Sequence, residues 1–304
     1  MTPKNPDISI VIINYNTRKI TYQCLEAIYK SFRSYKSNAE PSFEIILIDN
    51  ASDKDDSAIY FAEYSKKHRN IIFVANPTNG GFGPANNQGV KLAQGHYIFL
   101  LNSDTIVLKD AIQKLFAFYK KNENTKHFIG PKLLNKDMTS QASAASFYTL
   151  PVIFGSLFLR GDYWGLTRSS PKEMRRVDWV SGAAIMTKKE YFEKAGGFDE
   201  TLFMYMEEVD LLYRAKKLGM NAYFYPKVKI VHLGSASSNG KKFPIIQIYR
   251  GFLFFYKKHH SKLSLFCLRF LLRLKAGMAW FLGFVINNHY LKTTYEEAFR
   301  VAGH

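Results

Sequence analysis

The first third of the chain alternates between uninterrupted apolar runs and amphipathic segments with helical spacing. The runs are Ile8 to Tyr15, Phe43 to Ile48, Ile71 to Ala75 and the stretch that ends in Leu100-Leu101. Continuous β-branched and aliphatic runs are typical of strands covered on both faces. Strands that alternate with helices form right-handed βαβ units. The sequence therefore predicts an α/β fold in which helices flank a mostly parallel central sheet.

Polar side chains stand at the carboxyl ends of three of these predicted strands. Asn14 and Asn16 follow the first, Asp49 the second, and Asn102 and Asp104 the fourth. A turn or a helix cap explains any one of these clusters equally well. Together they predict a ligand crevice, because the carboxyl ends of parallel strands meet at one edge of the sheet. We expect a nucleotide there, with Asp49 accepting a hydrogen bond from the base and Asp104 binding a divalent cation at the diphosphate.

A glycine-rich stretch follows the third predicted strand. Gly81-x-Gly83 matches part of a dinucleotide fingerprint, but Asn86 stands where the third glycine belongs, and no glycine loop follows the first strand. These departures argue against a Rossmann dehydrogenase. Gly81 is instead expected to let the backbone approach the ligand, while Asn79 and Asn86 fix the loop or contact the nucleotide.

The helices between these strands are expected to start at small polar residues. Thr17 can cap the first helix, and Ser52 or Asp53 can cap the second, which should run to about His68. Both helices would then begin directly after a polar strand end.

The formal charge of +17 is distributed unevenly along the chain. No Asp or Glu occurs between Asp210 and Glu296, whereas residues 211 to 295 carry 15 Lys and Arg. This asymmetry indicates an anionic partner, for which nucleic acid, an anionic bilayer and a phosphorylated substrate all qualify. Cys24 and Cys267 are the only cysteines, which argues against a disulfide framework or a cysteine zinc site and fits a reducing cytosol. The polar N-terminus lacks a signal peptide, so we expect the catalytic part to stay inside the cell.

Several short motifs, taken in order, resemble family 2 glycosyltransferases of the GT-A fold. They begin at the first predicted strand and continue to about residue 260. Within the family, the bacterial rhamnosyltransferases are the most similar branch. The resemblance implies a GT-A transferase that uses a nucleotide-activated sugar. The motifs are Asn14-Tyr15-Asn16, Ile48-Asp49-Asn50-Ala51-Ser52, Asn79-x-Gly81-Phe82-Gly83-x-Ala85-x-Asn87-x-Gly89, Leu101-Asn102-Ser103-Asp104-Thr105, Ser181-Gly182-Ala183-Ala184, Gly196-Gly197-Phe198-Asp199-Glu200 and Phe203-Met204-Tyr205-Met206-Glu207-Glu208-Val209-Asp210-Leu211.

The resemblance assigns the catalytic chemistry to Glu207-Glu208-Val209-Asp210, which opens a predicted helix. It implies that Glu208 is the general base of an inverting transferase, that Glu207 precedes it and that Asp210 is a supporting carboxylate. The chain has Glu208 where the family more often has Asp, so the choice between Glu207 and Glu208 stays open. Acidic residues at a helix N-terminus also occur without catalysis, because they complement the helix dipole.

His232 follows a short predicted strand, Lys229 to Val231. By itself, a histidine at a strand end is more often structural than a ligand. The resemblance implies that His232 shares a cation with Asp104, and Mg²⁺ or Mn²⁺ would suit this pair and the diphosphate oxygens. Asn102 departs from the Asp-x-Asp pattern of the family, so it would bind through water or contact the ribose. The predicted nucleotide-sugar-binding residues are Asn14, Asn16, Asp49, Asn79, Gly81, Asn86, Asn102, Ser103 and Arg250, the last as an additional phosphate contact.

Residues 137 to 178 show little periodicity and contain aromatic, serine and arginine residues, among them Arg168. A long irregular segment of this kind is expected to be a functional flap or an acceptor-side loop. Trp179 follows it, and its indole would stack on a sugar ring or pack under the sheet. Ser181 and Gly182 are assigned to the acceptor side together with Trp179.

The C-terminal region is basic and is predicted to be helical. Lys258, Lys262, Arg269 and Arg273 fall on one stripe of a predicted amphipathic helix, with apolar residues on its other faces. The uncharged stretch after them is shorter than the roughly 20 residues that cross a bilayer. In-plane binding to an anionic inner leaflet and packing against the protein both fit this pattern. We expect no nucleic-acid partner, because the region contains no recognisable motif for one.

We therefore expect a GT-A catalytic domain at residues 1–240, with a nucleotide-binding half at about 1–105 and an acceptor half at 106–240, followed by an amphipathic helical region at 241–304. The expected activity is inverting, metal-dependent transfer of L-rhamnose from dTDP-L-rhamnose to a lipid-linked or polysaccharide acceptor. It would take place in the cytoplasm, on the inner face of the cell membrane, during cell-surface glycan synthesis. UDP-galactofuranose, UDP-GlcNAc and UDP-glucose are alternative donors. A nucleotide-sugar-binding or membrane scaffold protein without turnover is the alternative from another class.

Overall fold

In the computed structural model, the described residues are 5–34, 40–165, 167–234 and 242–303. They form an α/β fold in which helices flank a central sheet, as predicted. The strands are β1 (Ile8–Asn14), β2 (Phe43–Asp49), β3 (Ile71–Ala75), β4 (Tyr97–Leu101), β5 (Thr105–Val107), β6 (Phe128–Leu134), β7 (Ala144–Ala145), β8 (Arg168–Ser169), β9 (Arg175–Val177), β10 (Trp179–Val180), β11 (Ala184–Lys188) and β12 (Ala222–His232). The helices are α1 (Arg18–Ser34), α2 (Ser57–Lys66), α3 (Phe82–Leu92), α4 (Ala111–Asn122), α5 (Leu150–Phe158), α6 (Lys189–Lys194), α7 (Glu207–Lys217), α8 (Lys242–His259), α9 (Lys262–Val285) and α10 (His289–Val301).

The central sheet has the order β3-β2-β1-β4-β11-β6-β12-β5, with β9 paired to β12. Its N-terminal part, β3-β2-β1-β4, is parallel, and β6 is parallel to β12. Strand β11 runs antiparallel between β4 and β6. The register pairs Asn14 with Asp49, so the first two polar strand ends are neighbours at the carboxyl edge.

The alternation of side chains in β1 divides the core between the two faces of the sheet. Ile8, Ile10 and Ile12 belong to the core that includes residues of α1, α2 and α4. Val11 belongs to the other core, which continues through α3, α6, α7 and the C-terminal helices. Because both faces are covered, most of the strand is apolar, and the buried Ser9 donates its hydroxyl to Glu44 at 2.5 Å.

The described part of residues 137–178 contains short regular elements. Strands β10, β7 and β8 form a separate three-stranded antiparallel sheet, and α5 lies between β7 and β8 in the chain. Ile153 of α5 is fully buried in the same core as Trp179. The segment therefore forms a packed layer beside the central sheet.

Helices α8, α9 and α10 pack on one another and on the rest of the protein. Phe252, Leu268 and Ala298, one from each helix, belong to the same apolar core as Val209 of α7. The predicted alternative of packing against the protein is thus observed for one side of the C-terminal region.

The predicted basic stripe does not lie on a single helix. Lys258 belongs to α8, where its ammonium group donates to Asp199 at 2.6 Å and to Asp210 at 3.0 Å. A new helix begins after it, because the hydroxyl of Ser261 accepts the N–H of Ser264 at 3.2 Å and caps α9. The other residues of the predicted stripe, Lys262, Arg269 and Arg273, lie on α9.

The predicted cap of the second helix is wrong. Helix α2 begins at Ser57, several residues beyond Ser52 and Asp53. The hydroxyl of Ser52 donates to Asp49 at 2.6 Å, and the carboxylate of Asp53 accepts the side-chain N–H of Asn16 at 2.9 Å. Both side chains therefore bind residues that follow or end β1 and β2, and neither caps α2.

Two of the predicted domain boundaries can be compared with the structure. The boundary between residues 240 and 241 lies in 235–241, outside the described residues. The boundary near residue 105 falls in β5, which pairs with β12 of the second half, so the two predicted halves share one sheet. The division into domains stays a prediction.

Candidate active site

A cavity of about 510 Å³ opens at the carboxyl edge of the sheet. Its wall is built from the ends of β1, β4 and β12, the loop before α3, the N-terminus of α7 and parts of α5, α8, α9 and α10. The predicted site residues in the wall are Asn79, Gly81, Asn102, Ser103, Asp104, Trp179, Ser181, Gly182, Glu207, Glu208 and His232. The predicted residues outside it are Asn14, Asn16, Asp49, Asn86, Asp210 and Arg250.

Asn14 and Asp49 form a buried network behind the wall. Nδ2 of Asn14 donates to Asp49 at 2.5 Å, and its Oδ1 accepts the hydroxyls of Thr17 and Thr21 at 3.0 and 2.6 Å. The backbone N–H of Ser52 donates to the second carboxylate oxygen of Asp49 at 3.0 Å. Asn14 and Asp49 are buried, so these bonds hold the two strand ends together. Recognition of the base by Asp49 stays a prediction.

Asn16 and Asn86 both bind backbone groups. Asn16 has a left-handed φ of 54°, and its side-chain oxygen accepts the N–H groups of Asp53 and Lys54 at 2.9 and 2.8 Å. Asn86 donates to the carbonyl oxygen of Phe82 at 2.9 Å within α3. These contacts fix the loops, and a direct contact of either residue with a nucleotide stays a prediction.

The loop before α3 passes close to the segment that leads into α7. Gly81 has a φ of 100°, and a Cβ atom there would lie 2.4 Å from the carbonyl oxygen of Phe203. The N–H of Phe82 donates to the same carbonyl at 2.9 Å. Asn79 holds the loop by accepting the N–H of Gly81 at 3.0 Å and the side chain of Asn50 at 2.8 Å. The backbone at Gly81 therefore approaches the backbone of Phe203, another part of the same chain.

Asp104 and His232 face each other in the wall. Oδ1 of Asp104 lies 3.3 Å from Nε2 of His232. Nδ1 of His232 lies 2.7 Å from the side-chain oxygen of Gln141, whose amide nitrogen donates to Asn135 at 3.0 Å. Because an amide oxygen only accepts, Nδ1 carries the proton in the neutral ring, and Nε2 presents its lone pair to Asp104.

These groups suit a divalent cation. Two acceptors that face each other at this distance repel unless a proton or a cation lies between them. Nδ2 of Asn102 lies 3.5 Å from Nε2 of His232, and its buried Oδ1 has no hydrogen-bond partner among the described residues. No group of three or more His, Cys, Asp and Glu side chains within those residues could hold a metal ion. Asp104 and His232 would therefore need the substrate to complete the ligand set.

Glu207 and Glu208 start α7 at the cavity. The two residues before them, Tyr205 and Met206, have left-handed φ values of 68° and 75°. Consecutive non-glycine residues in this region store strain, which tends to occur at functional sites. Glu208 accepts the N–H of Gly182 at 3.4 Å, whereas Oε1 of the buried Glu207 has no hydrogen-bond partner among the described residues.

The two carboxyl groups differ in their electrostatic environment. Burial raises the pKa of Glu207 to about 8, and the charge of Glu208 contributes to the rise. Burial also raises the pKa of Glu208, but backbone N–H groups, including that of Gly182, and the charge of Arg168 act in the opposite direction. Because two buried carboxylates repel each other, the pair holds a proton more firmly than a free carboxyl group does. A general base must be ionised, and the N–H of Gly182 stabilises the charged form of Glu208, whereas Oε1 of Glu207 has no such partner among the described residues. The hydrogen bonds therefore favour Glu208 for that role.

Asp210 supports the helix from outside the cavity. Its fully buried carboxylate accepts from Arg214 at 2.8 Å, and Nε2 of His259 lies 2.6 Å from it. Burial acts to raise its pKa, but the bond with His259 and the charge of Arg214 hold that pKa below its ordinary value. Asp210 thus joins α7 to α8.

The predicted acceptor-side residues include a packed indole. Trp179 is 2% exposed, its Nε1 donates to the carbonyl oxygen of Ser146 at 2.9 Å, and the guanidinium of Arg168 lies 5.3 Å from its ring centre. These contacts are those of the packing alternative, and stacking on a sugar stays a prediction. Arg250 is exposed on α8, so its phosphate contact also stays a prediction.

Four residues at the site were missed by the sequence analysis. Gln141 supports His232 from 91 positions away, and no local pattern signals such a contact. Tyr205 belongs to the motif from Phe203 to Leu211, but no role was predicted for it. Lys275 of α9 and Tyr295 of α10 reach the cavity wall only because the C-terminal helices fold back onto the protein.

The sequence profile described as Glycosyl transferase family 2 matches residues 9–179, more than half of the chain. The chain belongs to glycosyl transferase family 2. The matched range includes Asp104 but ends before Glu207, Glu208 and His232. The match thus covers the predicted nucleotide half and the first part of the predicted acceptor half.

Three curated relatives show how widely this similarity extends. A low-salt glycan biosynthesis hexosyltransferase of Haloferax volcanii is 22% identical over 230 residues, which are 74% of this chain and 67% of that protein. The rhamnosyltransferase WbbL of Escherichia coli is 28% identical over 50% of this chain and 60% of its own length. The N-acetylglucosaminyl-diphospho-decaprenol L-rhamnosyltransferase of Mycobacterium tuberculosis is 32% identical over 37% of this chain and 39% of its own. The chain thus spans less than two thirds of either rhamnosyltransferase.

A solved structure confirms the fold. GalNAc-T7, crystallised with UDP, GalNAc and Mn²⁺, superposes with a TM-score of 0.59 at 17% identity, covering 83% of this chain and 50% of that one. The likeness confirms the predicted GT-A-like arrangement. Within the described residues, none of the helices is both long and apolar enough to cross a membrane.

Proposed function

We propose that this protein is an inverting, metal-dependent glycosyltransferase that transfers L-rhamnose from dTDP-L-rhamnose to a lipid-linked or polysaccharide acceptor in cell-surface glycan synthesis. One observation carries the activity: Glu208, Asp104 and His232 line the same cavity. The similarity to two rhamnosyltransferases supports the donor, and the name of one of them supports an acceptor carried on a lipid diphosphate.

In this proposal, Glu208 removes the proton of the acceptor hydroxyl. The hydroxyl oxygen attacks the anomeric carbon on the face opposite the nucleotide, and the bond to the diphosphate oxygen breaks, so the configuration inverts. The N–H of Gly182 and the start of α7 orient the carboxylate. We assign the base to Glu208, because the N–H of Gly182 stabilises its charged form, whereas Oε1 of Glu207 has no hydrogen-bond partner among the described residues.

Asp104 and His232 would hold Mg²⁺ or Mn²⁺, with Gln141 fixing the tautomer of the histidine. When bound, the ion supplies positive charge to the departing diphosphate. The unpartnered oxygen of Asn102 would bind to this centre through water or contact the ribose. The Mn²⁺ in the GalNAc-T7 structure supports this choice of metal.

We also propose that the protein acts in the cytoplasm, with α9 lying in the surface of the inner leaflet. Four phenylalanines of α9 are between 61% and 69% exposed: Phe266, Phe270, Phe281 and Phe284. Arg273 on the same helix is also exposed. A helix with an apolar outer face and cationic side chains binds in the plane of an anionic membrane.

The test is a donor panel with the purified protein. We expect dTDP-L-rhamnose to be bound and slowly hydrolysed when Mg²⁺ or Mn²⁺ is present, and chelation by EDTA to abolish both. Preference for UDP-galactofuranose, UDP-GlcNAc or UDP-glucose would contradict the rhamnose assignment and leave the transferase chemistry intact. Lack of response to every donor would contradict the enzyme proposal and favour the scaffold alternative.

A further inference from the structure

The wall of the cavity differs in character from one part to another. We define the acceptor chamber as the part of the wall that comes from β8, α5, α8, α9 and α10. Apolar and aromatic side chains form much of it, including Leu157, Ile245, Phe252 and Tyr295. Such a lining suits the beginning of a hydrocarbon chain more than a free sugar, which needs many polar partners.

Two cationic side chains belong to this chamber, Arg168 of β8 and Lys275 of α9. The guanidinium of Arg168 covers the ring of Trp179 and donates weakly to the carbonyl oxygen of Ala142 at 3.4 Å. Its Nε is buried without a hydrogen-bond partner among the described residues. A charged group without a full set of partners is costly to bury, so the guanidinium in the wall is suited to an anion in the cavity.

Lys275 stands on the inner side of α9. Its Nζ lies 5.8 Å from the ring centre of Phe158, and its neighbour Ala276 is fully buried. The outer side of the same helix carries the exposed Phe270 and Phe281. If α9 lies at a membrane surface, Lys275 lies close to the level of the lipid headgroups, where the phosphates of a membrane-anchored substrate are found.

The carboxylates of the chamber leave the two cations available. Asp162 also lines the wall, and it accepts the hydroxyl of Thr167. Glu208 lies in the same cavity, where burial raises its pKa and the charge of Arg168 opposes that rise. Neither carboxylate forms an ion pair with Arg168 or Lys275 among the described residues. The positive groups of the chamber can therefore act on a ligand.

We propose that Arg168 and Lys275 bind the diphosphate of a lipid-linked acceptor, so that the acceptor sugar reaches Glu208 while the lipid leaves the chamber along α9. This inference rests on the proposed function, because it names the acceptor class of the same site. It makes the protein specific for acceptors that carry a diphosphate, through charge-assisted hydrogen bonds that an uncharged glycoside cannot form.

The test measures equilibrium binding of farnesyl diphosphate and of farnesol to the full chain by calorimetry. EDTA is present throughout, so that no cation at Asp104 and His232 attracts phosphate. The wild-type protein should bind the diphosphate more tightly than the alcohol. Lys275→Gln and Arg168→Gln should each weaken diphosphate binding by about tenfold or more and leave farnesol binding unchanged. Lys257→Gln, on an exposed lysine of α8, should have no effect.

Equal affinity for farnesol and farnesyl diphosphate would overturn the inference, as would an equal loss in Lys257→Gln. Arg168→Lys keeps the charge and guards against a folding defect, since it should retain more of the diphosphate preference than Arg168→Gln. The donor panel is run on the same preparation. Cation-dependent donor hydrolysis without a diphosphate preference refutes only the acceptor site, whereas a diphosphate preference without any donor response refutes only the transferase.

Discussion

Nδ1 of His232 lies 2.7 Å from the side-chain oxygen of Gln141, although 91 residues separate the two in the chain. The bond sets which nitrogen of the imidazole carries the proton, and Nε2 is thereby directed at Asp104. A residue without any charge therefore decides whether the histidine can act as a ligand.

Replacing Gln141 tests this arrangement. Gln141→Leu removes the acceptor for Nδ1–H and should weaken binding of Mn²⁺ in the presence of nucleotide by about 10–100-fold. Gln141→Glu keeps an acceptor at the same position and should restore most of the affinity. Titration calorimetry measures both. Equal affinities in wild type and Gln141→Leu would contradict the role of Gln141.

The base assignment is tested by Glu208→Gln. The amide cannot take up the acceptor proton, so transfer should fall by roughly 10²–10⁴-fold. Donor binding should stay nearly unchanged, because Asp104 and His232 are intact. Product formation and donor affinity are measured on the same preparation. Transfer at the wild-type rate would exclude Glu208 as the base and point to Glu207.

The raised pKa of Glu207 predicts that the stability of the protein depends on pH. Its pKa rises from 4.5 to about 8 on folding, so the native state holds this proton more firmly than the unfolded chain does. Stability should therefore fall as the pH rises between these two values. Glu207→Gln removes the ionisation, so its Tm relative to wild type should be higher at about pH 8.5 than at about pH 5. Thermal unfolding in EDTA checks this. A constant difference in Tm across this range would contradict the shift.

Gly81 offers a matched pair of substitutions. Gly81→Ala adds a Cβ 2.4 Å from the carbonyl oxygen of Phe203 at a φ of 100°, which should cost about 1–3 kcal/mol of unfolding free energy and weaken donor binding. Gly80→Ala meets only the Cβ of Pro84 at 3.7 Å, so its effect should be small. Denaturant unfolding compares the two variants. Equal stability of both would show that the loop before α3 can move away from Phe203.

The exposed face of α9 predicts binding to vesicles. Phe270→Ser and Phe281→Ser should each lower partitioning onto vesicles of anionic lipid by about tenfold, because each removes a large apolar side chain from the interface. Ile59→Ser alters an even more exposed apolar residue, on α2, and serves as the control, with no expected change. Co-sedimentation measures the bound fraction. Unchanged partitioning of both phenylalanine variants would contradict the placement of α9 in the membrane surface.

Much of the fold could be predicted from local patterns. The runs at β1, β2 and β4 are mostly apolar because both faces of each strand are covered, and that requirement is visible in the residues themselves. The polar strand ends predict the position of the crevice, because the carboxyl ends of parallel strands meet at one edge of the sheet. The start of α7 at Glu207 also matches its prediction.

Most omissions occurred where a contact joins distant parts of the chain. The error at Lys258 is local instead, because the cap at Ser261 starts a new helix after this residue. Asn14 and Asp49 lie behind the cavity wall, where they form a hydrogen bond with each other. Their positions at strand ends do not reveal this structural role.

The amino-acid sequence by itself determined the α/β fold, the membership of the family and the edge of the sheet at which the site lies, because periodicity and short motifs are local properties. Only the tertiary structure decided that Gln141 orients His232 and that Lys275 enters the cavity. It also gave Glu207 and Glu208 different environments. Hydrogen bonds, burial and charge depend on which distant groups come within a few ångströms, and that is settled only when the helices pack on the sheet.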